Sequence, residues 1–153
     1  MASSRVLVLC TGNSARSVIA EALLRECAGG AFEVQSAGTH PKGINPFTTR
    51  VLVEERIPLE GFRSKSVDEF AGQHFDYVIT VCDSAAEECP VFPGAPVRLH
   101  WSFPDPAAVG GSEDEKLAAF RDTVREMRGR VQQFVALVRG EQTASGKREG
   151  KKT

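Results

Sequence analysis

Cys10-Thr11-Gly12-Asn13-Ser14-Ala15-Arg16-Ser17 follows the pattern C-x5-R-S. Before it, Arg5-Val6-Leu7-Val8-Leu9 is short, apolar and β-branched, which predicts a buried strand. After it, Ala20, Leu23, Leu24 and Cys27 share one helical face until Gly29-Gly30 ends the run. A loop that runs from a strand into a helix N-terminus presents unpaired backbone N–H groups at the positive end of a helix dipole, which together bind anions. Arg16 adds a planar fork of donors suited to a tetrahedral oxyanion. Gly12 and Asn13 are types that tolerate the left-handed backbone such a loop needs. A thiol placed there has a lowered pKa, so Cys10 is expected to be a thiolate at neutral pH and a nucleophile toward an oxyanion centre. Ser17 is expected to donate a hydrogen bond to it. The plainer reading makes Cys10 a buried strand-end cysteine and Arg16 a surface residue. The strand–loop–helix context argues against that reading.

Two further groups can carry chemistry. Cys82-Asp83-Ser84-Ala85-Ala86-Glu87-Glu88-Cys89-Pro90 holds two thiols with six residues between them. That is not zinc-finger spacing, and no second Cys/His pair lies nearby. Thiol redox chemistry, a metal site and a pair of inert core cysteines are the readings to separate. In Phe103-Pro104-Asp105-Pro106, Asp105 is either a turn aspartate or a general acid that protonates an oxygen leaving the bound anion. Cys27 lies on an apolar face and reads as a small core residue. The histidines, His40, His74 and His100, are scattered and read as structural.

These groups need a scaffold. Strands are predicted at 5–9, 32–36, 76–81 and 96–100. Helices are predicted from 15 to about 28 and, with Asn45 as cap and Pro46 at the first position, from 46 to about Arg56. A short turn is expected over 67–70 and another short helix over 83–88. Ser112-Glu113-Asp114-Glu115 reads as a capping box. Leu117, Phe120, Val124, Met127, Val131, Phe134 and Val138 then form one apolar helix face. Alternating strands and helices imply an α/β fold, a four-stranded parallel sheet with helices on both faces. Ligands bind such sheets at the carboxyl ends of the strands, where Cys10 and Cys82 both fall. One domain over 1–139 is expected, followed by a polar, disordered tail over 140–153.

The 153 residues carry a formal net charge of -1, which gives no reason to expect nucleic acid or an anionic membrane as partner. No apolar run approaches the length of a membrane span, and the N-terminus lacks a signal-peptide pattern, so a cytoplasmic location is expected. There, structural disulfides among the four cysteines are a poor expectation.

The Cys10–Ser17 loop resembles the phosphate loop of the low-molecular-weight protein tyrosine phosphatases. It is more similar still to that of the thioredoxin-coupled arsenate reductases sharing their fold, which like this chain lack the second cysteine before the arginine; that position is Ala15. The resemblance runs from about Arg5 to Val138. It implies that Thr11, Gly12, Asn13, Ser14, Ala15, Arg16 and Ser17 bind arsenate or phosphate, and that Asp105 is the general acid. Ala107-Ala108 stand where the phosphatases commonly carry an aromatic residue for phosphotyrosine. For the thiols it implies a relay. Cys10 forms the arsenate adduct, Cys82 resolves it with release of arsenite, and Cys89 carries the disulfide to the surface. It further implies a monomer with no bound cofactor, taking electrons from thioredoxin and so from NADPH through thioredoxin reductase. A mycothiol or glutaredoxin route stays open beside it. Some of these reductases hold potassium near Asn13, Glu21 and Ser36. Here the nearby Phe62-Arg63-Ser64-Lys65 is basic, so no metal is expected and Lys65 is expected to pair with Glu21. The alternatives are a phosphotyrosine or small-phosphomonoester hydrolase using Cys10 and Asp105, and a non-enzymatic oxyanion binder or thiol sensor.

Overall fold

The protein is described here by a computed structural model covering residues 4–59 and 61–151, with side chains through Gly140. Four strands, β1 (Ser4–Cys10), β2 (Phe32–Gly38), β3 (Tyr77–Thr80) and β4 (Val97–His100), form one parallel sheet in the order β2-β1-β3-β4. The helices are α1 (Arg16–Ala28), α2 (Pro46–Glu54), α3 (Asp83–Glu87) and α4 (Glu113–Lys151). In central β1, Val6, Leu7, Val8 and Leu9 are all fully buried. Successive side chains of a strand point to opposite faces, so both faces of the sheet are covered, as the unbroken apolar run implies.

The helix boundaries follow their signals. Asn45 accepts a hydrogen bond from Phe47 N at 2.8 Å, with Pro46 opening α2. Ser112 caps α4 by accepting from Glu115 N at 3.1 Å. The whole predicted α4 face, Leu117 to Val138, is buried. Phe134 sits at its centre, with ring centroids 5.7 Å from Phe32, 5.1 Å from Tyr77 and 5.6 Å from Trp101. This contact matters for the site, because Trp101 begins the segment that carries Asp105. Trp101 N also donates to Thr80 O at 2.8 Å, fixing that segment to the carboxyl end of β3.

One expectation changes. Cys27 is half-buried and packs against the edge of the core rather than within it, because its turn of α1 nears the surface. The tail expected to be disordered lies, beyond Gly140, outside the residues whose side chains are described. Among the described residues, no helix is long and apolar enough to cross a membrane.

Gly129 lies inside α4, and a methyl group there meets nothing within 4 Å. Gly129→Ala is therefore expected to stabilise the protein by about 0.5–1 kcal/mol, through helix propensity and a less flexible unfolded chain. Thermal unfolding should shift upward by roughly 2–4 °C. An unchanged or lowered midpoint would contradict the open position assigned to this residue.

Candidate active site

The loop between β1 and α1 is shaped by where its carbonyls go. Thr39 N donates to Cys10 O at 3.2 Å, His40 N to Thr11 O at 2.8 Å, and Lys42 N to Gly12 O at 3.0 Å. Asn45 N and Thr48 Oγ1 both donate to Ser14 O, at 3.0 and 2.8 Å. Ser64 Oγ adds a second bond to Gly12 O at 3.2 Å, and Ile19 N takes Ala15 O at 2.9 Å. The carbonyls thus face the segment 39–48 that wraps the loop. The N–H groups are left to converge on the opposite side, beside the start of α1. That helix start has no side-chain cap and no acidic residue in its first turn, which leaves its N–H groups available to an anion.

Asn13 holds the loop from beneath. It is fully buried and left-handed, with φ 44°. Its Nδ2 donates to Ser17 Oγ at 2.8 Å and Ser36 Oγ at 3.0 Å, and its Oδ1 accepts from Lys65 N at 2.9 Å. Two expectations are corrected. Gly12 is not left-handed; its lack of a side chain instead admits the stem of Lys42, whose Cε lies 2.8 Å from where a Cβ would stand. Ser17 Oγ accepts from Asn13 Nδ2, and among the described residues no hydrogen bond from Ser17 to the Cys10 sulfur is formed.

The floor beneath the loop is ionic. Glu21 is buried, pairs with Arg25 at 2.5 Å and accepts from Ser36 Oγ at 2.5 Å. Burial raises its pKa against the pull of Ser36, Arg25 and Lys65. Lys65 is also buried, but its ammonium reaches the Arg63 carbonyl at 3.4 Å. Burial lowers its pKa and Glu21 raises it. The expected Lys65–Glu21 contact is thus replaced by Arg25–Glu21, since Arg25 lies one helical turn along α1 and reaches the carboxylate directly. Lys65 acts on Glu21 through its charge.

Above the loop is a cavity of about 430 Å³, lined by Cys10, Thr11, Gly12, Ser14, Ala15, Arg16, His40, Lys42, Asp105 and Ala107. Arg16 Nη1 donates to Phe103 O at 3.0 Å, and its Nη2 lies 3.8 Å from Asp105 Oδ2. Asp105 also accepts from Ala107 N at 3.0 Å, capping the turn Pro106–Ala108. The turn role and the acid role coincide, since the cap fixes a carboxylate that faces the cavity. Ala107 lines the cavity, and no Phe, Tyr or Trp is among the described residues that line it.

The structure brings Cys82 to Cys10. Both are buried, and the two side chains sit close enough for a thiol–thiolate interaction to couple their titrations. Thr11 Oγ1 lies 3.3 Å from Cys82 Sγ. The interaction with Cys10 holds the Cys82 thiol down to about 5, against burial, with help from the Thr11 hydroxyl and the N–H groups of Ala85 and Thr11. Cys10 is pushed well above the ordinary thiol range, first by the same interaction and then by burial, although Arg16 pulls the other way. Arg16 and the Thr11 N–H favour the Cys10 thiolate that the motif predicts, while the neighbouring Cys82 thiol and burial oppose it. The two thiols therefore titrate as a pair that shares a proton. Cys89 is not part of the pair. It is half-buried at the far end of α3, beside β4.

Sequence reasoning missed the outer ring: Gly38, Thr39, His40, Lys42, Thr48 and Ser64. At Gly38 a Cβ would stand 2.5 Å from Thr11 O and 2.9 Å from Asn13 N, so only glycine lets β2 pass under the loop. The missed signal was that glycine at a strand end, followed by polar residues with no periodicity.

A thiol at a strand end, in a loop of inward N–H groups opening a helix, is the anion site of a phosphatase-type α/β protein. The chain belongs to the low molecular weight phosphotyrosine protein phosphatase family, whose model matches residues 5–144. Within that family it is similar to proteins named for another reaction. It is 37% identical over 129 residues to an arsenate reductase of Halalkalibacterium halodurans, across 84% of this chain and 93% of that one. The solved arsenate reductase of Archaeoglobus fulgidus superposes with a TM-score of 0.69 at 29% identity, covering 86% of this chain and 98% of that one. The thioredoxin-dependent arsenate reductase of Corynebacterium glutamicum gives 0.67 at 29% identity, covering 89% of this chain and 63% of that one.

The shared proton makes a spectroscopic prediction. Ultraviolet thiolate absorbance of the reduced, oxyanion-free protein should show one thiolate appearing at about pH 5. Thr11→Val removes a donor to that thiolate, so the step should move to higher pH. No change in absorbance between pH 4 and 7 in the parent chain would contradict the pairing.

Proposed function

We propose that this chain is an arsenate reductase that works by a Cys10-Cys82-Cys89 relay and is regenerated by thioredoxin. The single observation that carries the reading is the contact between Cys82 and Cys10 inside an oxyanion site. Hydrolysis of a phosphate ester needs one thiol there, whereas reduction of arsenate needs two. The names of the relatives support the same reaction, and the printed name of the Corynebacterium glutamicum neighbour supports thioredoxin as the electron donor.

Arsenate enters the loop of Thr11 to Ser17, where the N–H groups and Arg16 take its oxygens. The Cys10 sulfur bonds to arsenic, its proton passing to the oxyanion. Asp105 protonates the departing oxygen, which leaves as water. The Cys82 thiolate then attacks the Cys10 sulfur. The Cys10–Cys82 disulfide forms, and the electron pair of the sulfur–arsenic bond leaves with arsenic as arsenite. The two thiols have supplied the two electrons. Cys89 attacks Cys82, frees Cys10, and leaves a Cys82–Cys89 disulfide for the thioredoxin dithiol to reduce. Electrons reach thioredoxin from NADPH through thioredoxin reductase, and no bound cofactor takes part. The cytoplasm, where thioredoxin is kept reduced, suits this cycle.

A coupled assay with arsenate, thioredoxin, thioredoxin reductase and NADPH tests the reading. NADPH oxidation is expected to depend on arsenate. Each of Cys10→Ser, Cys82→Ser and Cys89→Ser is expected to abolish multiple turnover. Slow hydrolysis of p-nitrophenyl phosphate should survive Cys82→Ser and be lost in Cys10→Ser, since hydrolysis uses Cys10, Arg16 and Asp105 alone. Full turnover of arsenate by Cys89→Ser with thioredoxin would contradict the third step.

A further inference from the structure

Arg98 stands on β4, exposed and away from the oxyanion loop. Its guanidinium makes two bonds into one short segment. Nη1 donates to Cys89 Sγ at 3.2 Å, and Nη2 donates to Pro90 O at 2.9 Å. The Cys89 thiol donates to the same Pro90 carbonyl at 3.6 Å. When Cys89 loses its proton, its own bond to Pro90 disappears, while the bond from Arg98 becomes charge-assisted at both ends. Other charged or titratable groups near the sulfur are engaged elsewhere or belong to its own segment. His100, also on β4, lies 2.9 Å from Asp83, and Glu88 lies 3.2 Å from His40; Glu87 precedes Glu88 on the exposed side of α3. β3 contributes Val78 and Thr80, neither of them charged, to the cavity of about 180 Å³ beside Cys89.

We propose that Arg98 is a positioning residue for the shuttle thiol, stabilising the Cys89 thiolate and holding residues 89–90 against β4 until that thiolate attacks. The inference rests on the relay reading and deepens its last step. There, the Cys89 thiolate attacks the Cys82 sulfur of the Cys10–Cys82 disulfide. The Cys82–Cys89 bond forms as the Cys10–Cys82 bond breaks, and Cys10 leaves with the electron pair as a thiolate. No electrons enter or leave, and the proton lost by Cys89 goes to solvent. Burial raises the Cys89 pKa and Arg98 lowers it, so without Arg98 the thiolate fraction at neutral pH falls. The planar fork suits the task because one rigid group reaches sulfur and carbonyl together. A lysine brings the charge without the paired geometry.

The test is alkylation of the reduced full-length chain by iodoacetamide across a pH series, with Cys89 read separately by peptide mass spectrometry. In Arg98→Gln, Cys89 alkylation at pH 7 should slow roughly three- to tenfold and its midpoint should move to higher pH, with Cys27 unchanged. Arg98→Lys should recover part of the rate. Superimposable Cys89 profiles in the parent and Arg98→Gln chains would overturn the proposal. So would an Arg98→Lys chain as slow as Arg98→Gln, which would make the effect one of shape and not of charge. No arsenate is present in this measurement, so a protein that failed to reduce arsenate would sink the functional reading and leave the result for Arg98 standing.

Discussion

The backbone of residues 10–15 can bind an oxyanion only if its carbonyls point away from the same space. Each peptide unit carries a donor and an acceptor on opposite edges, and a buried carbonyl without a partner is costly. The protein meets this by wrapping residues 39–48 around the loop so that four carbonyls, those of Cys10, Thr11, Gly12 and Ser14, accept bonds from outside. Gly38 lets β2 approach closely enough for that wrap, and Asn13 ties the underside to Ser36 and Lys65. Much of the architecture follows from this turning outward. The β2–α2 connection is the loop's outer wall, and the ionic layer of Glu21, Arg25 and Lys65 is its floor.

On that foundation the thiols divide their work by position. Cys10 ends β1, and Cys82 lies two residues past the end of the neighbouring strand β3, at the start of α3, so the topology of the parallel sheet brings the two thiols together. Their shared proton keeps the site at one negative charge before an anionic substrate arrives, which limits repulsion. Cys89 is set apart by α3, because its five residues Asp83–Glu87 rise about 7.5 Å, with Glu88 beyond them, and a disulfide allows Cα atoms no more than about 7 Å apart. Bonding Cys82 to Cys89 therefore requires α3 to unwind. The helix is short, with bonds from Ala86 N to Cys82 O and from Glu88 N to Ser84 O, and its ends are held by exposed His100–Asp83 and His40–Glu88 pairs. Little opposes its opening, since exposed pairs of this kind contribute at most about 1 kcal/mol each.

The sheet, the four helices and the chemistry-bearing residues were legible in the sequence because each had a local signal. The apolar run of β1, the Asn45-Pro46 and Ser112 caps, and the repeat from Leu117 to Val138 all read correctly. The fold also gathers the candidate residues Cys10, Arg16, Cys82 and Asp105 at one edge of the sheet. What could not be read were relations between segments. That Arg25 and not Lys65 takes Glu21, that Asn13 takes Ser17, and that Lys42 lies on Gly12 all depend on how helices and loops pack after folding. The coupling of Cys10 to Cys82 belongs to the same class: a loop motif predicts a lowered pKa, and a second buried thiol 72 positions away along the chain pulls against it. Arg98 carried no signal at all, because nothing in Val97-Arg98-Leu99 distinguishes it from an ordinary edge-strand arginine.

The most direct test of the account is disulfide mapping after one equivalent of arsenate is added to the fully reduced protein without thioredoxin. Mass spectrometry of peptides under acid quench should find the Cys82–Cys89 disulfide in the parent chain and Cys10–Cys82 in the Cys89→Ser variant, each with one arsenite released. A protein that stays fully reduced under arsenate, or that forms a disulfide including Cys27, would contradict the relay.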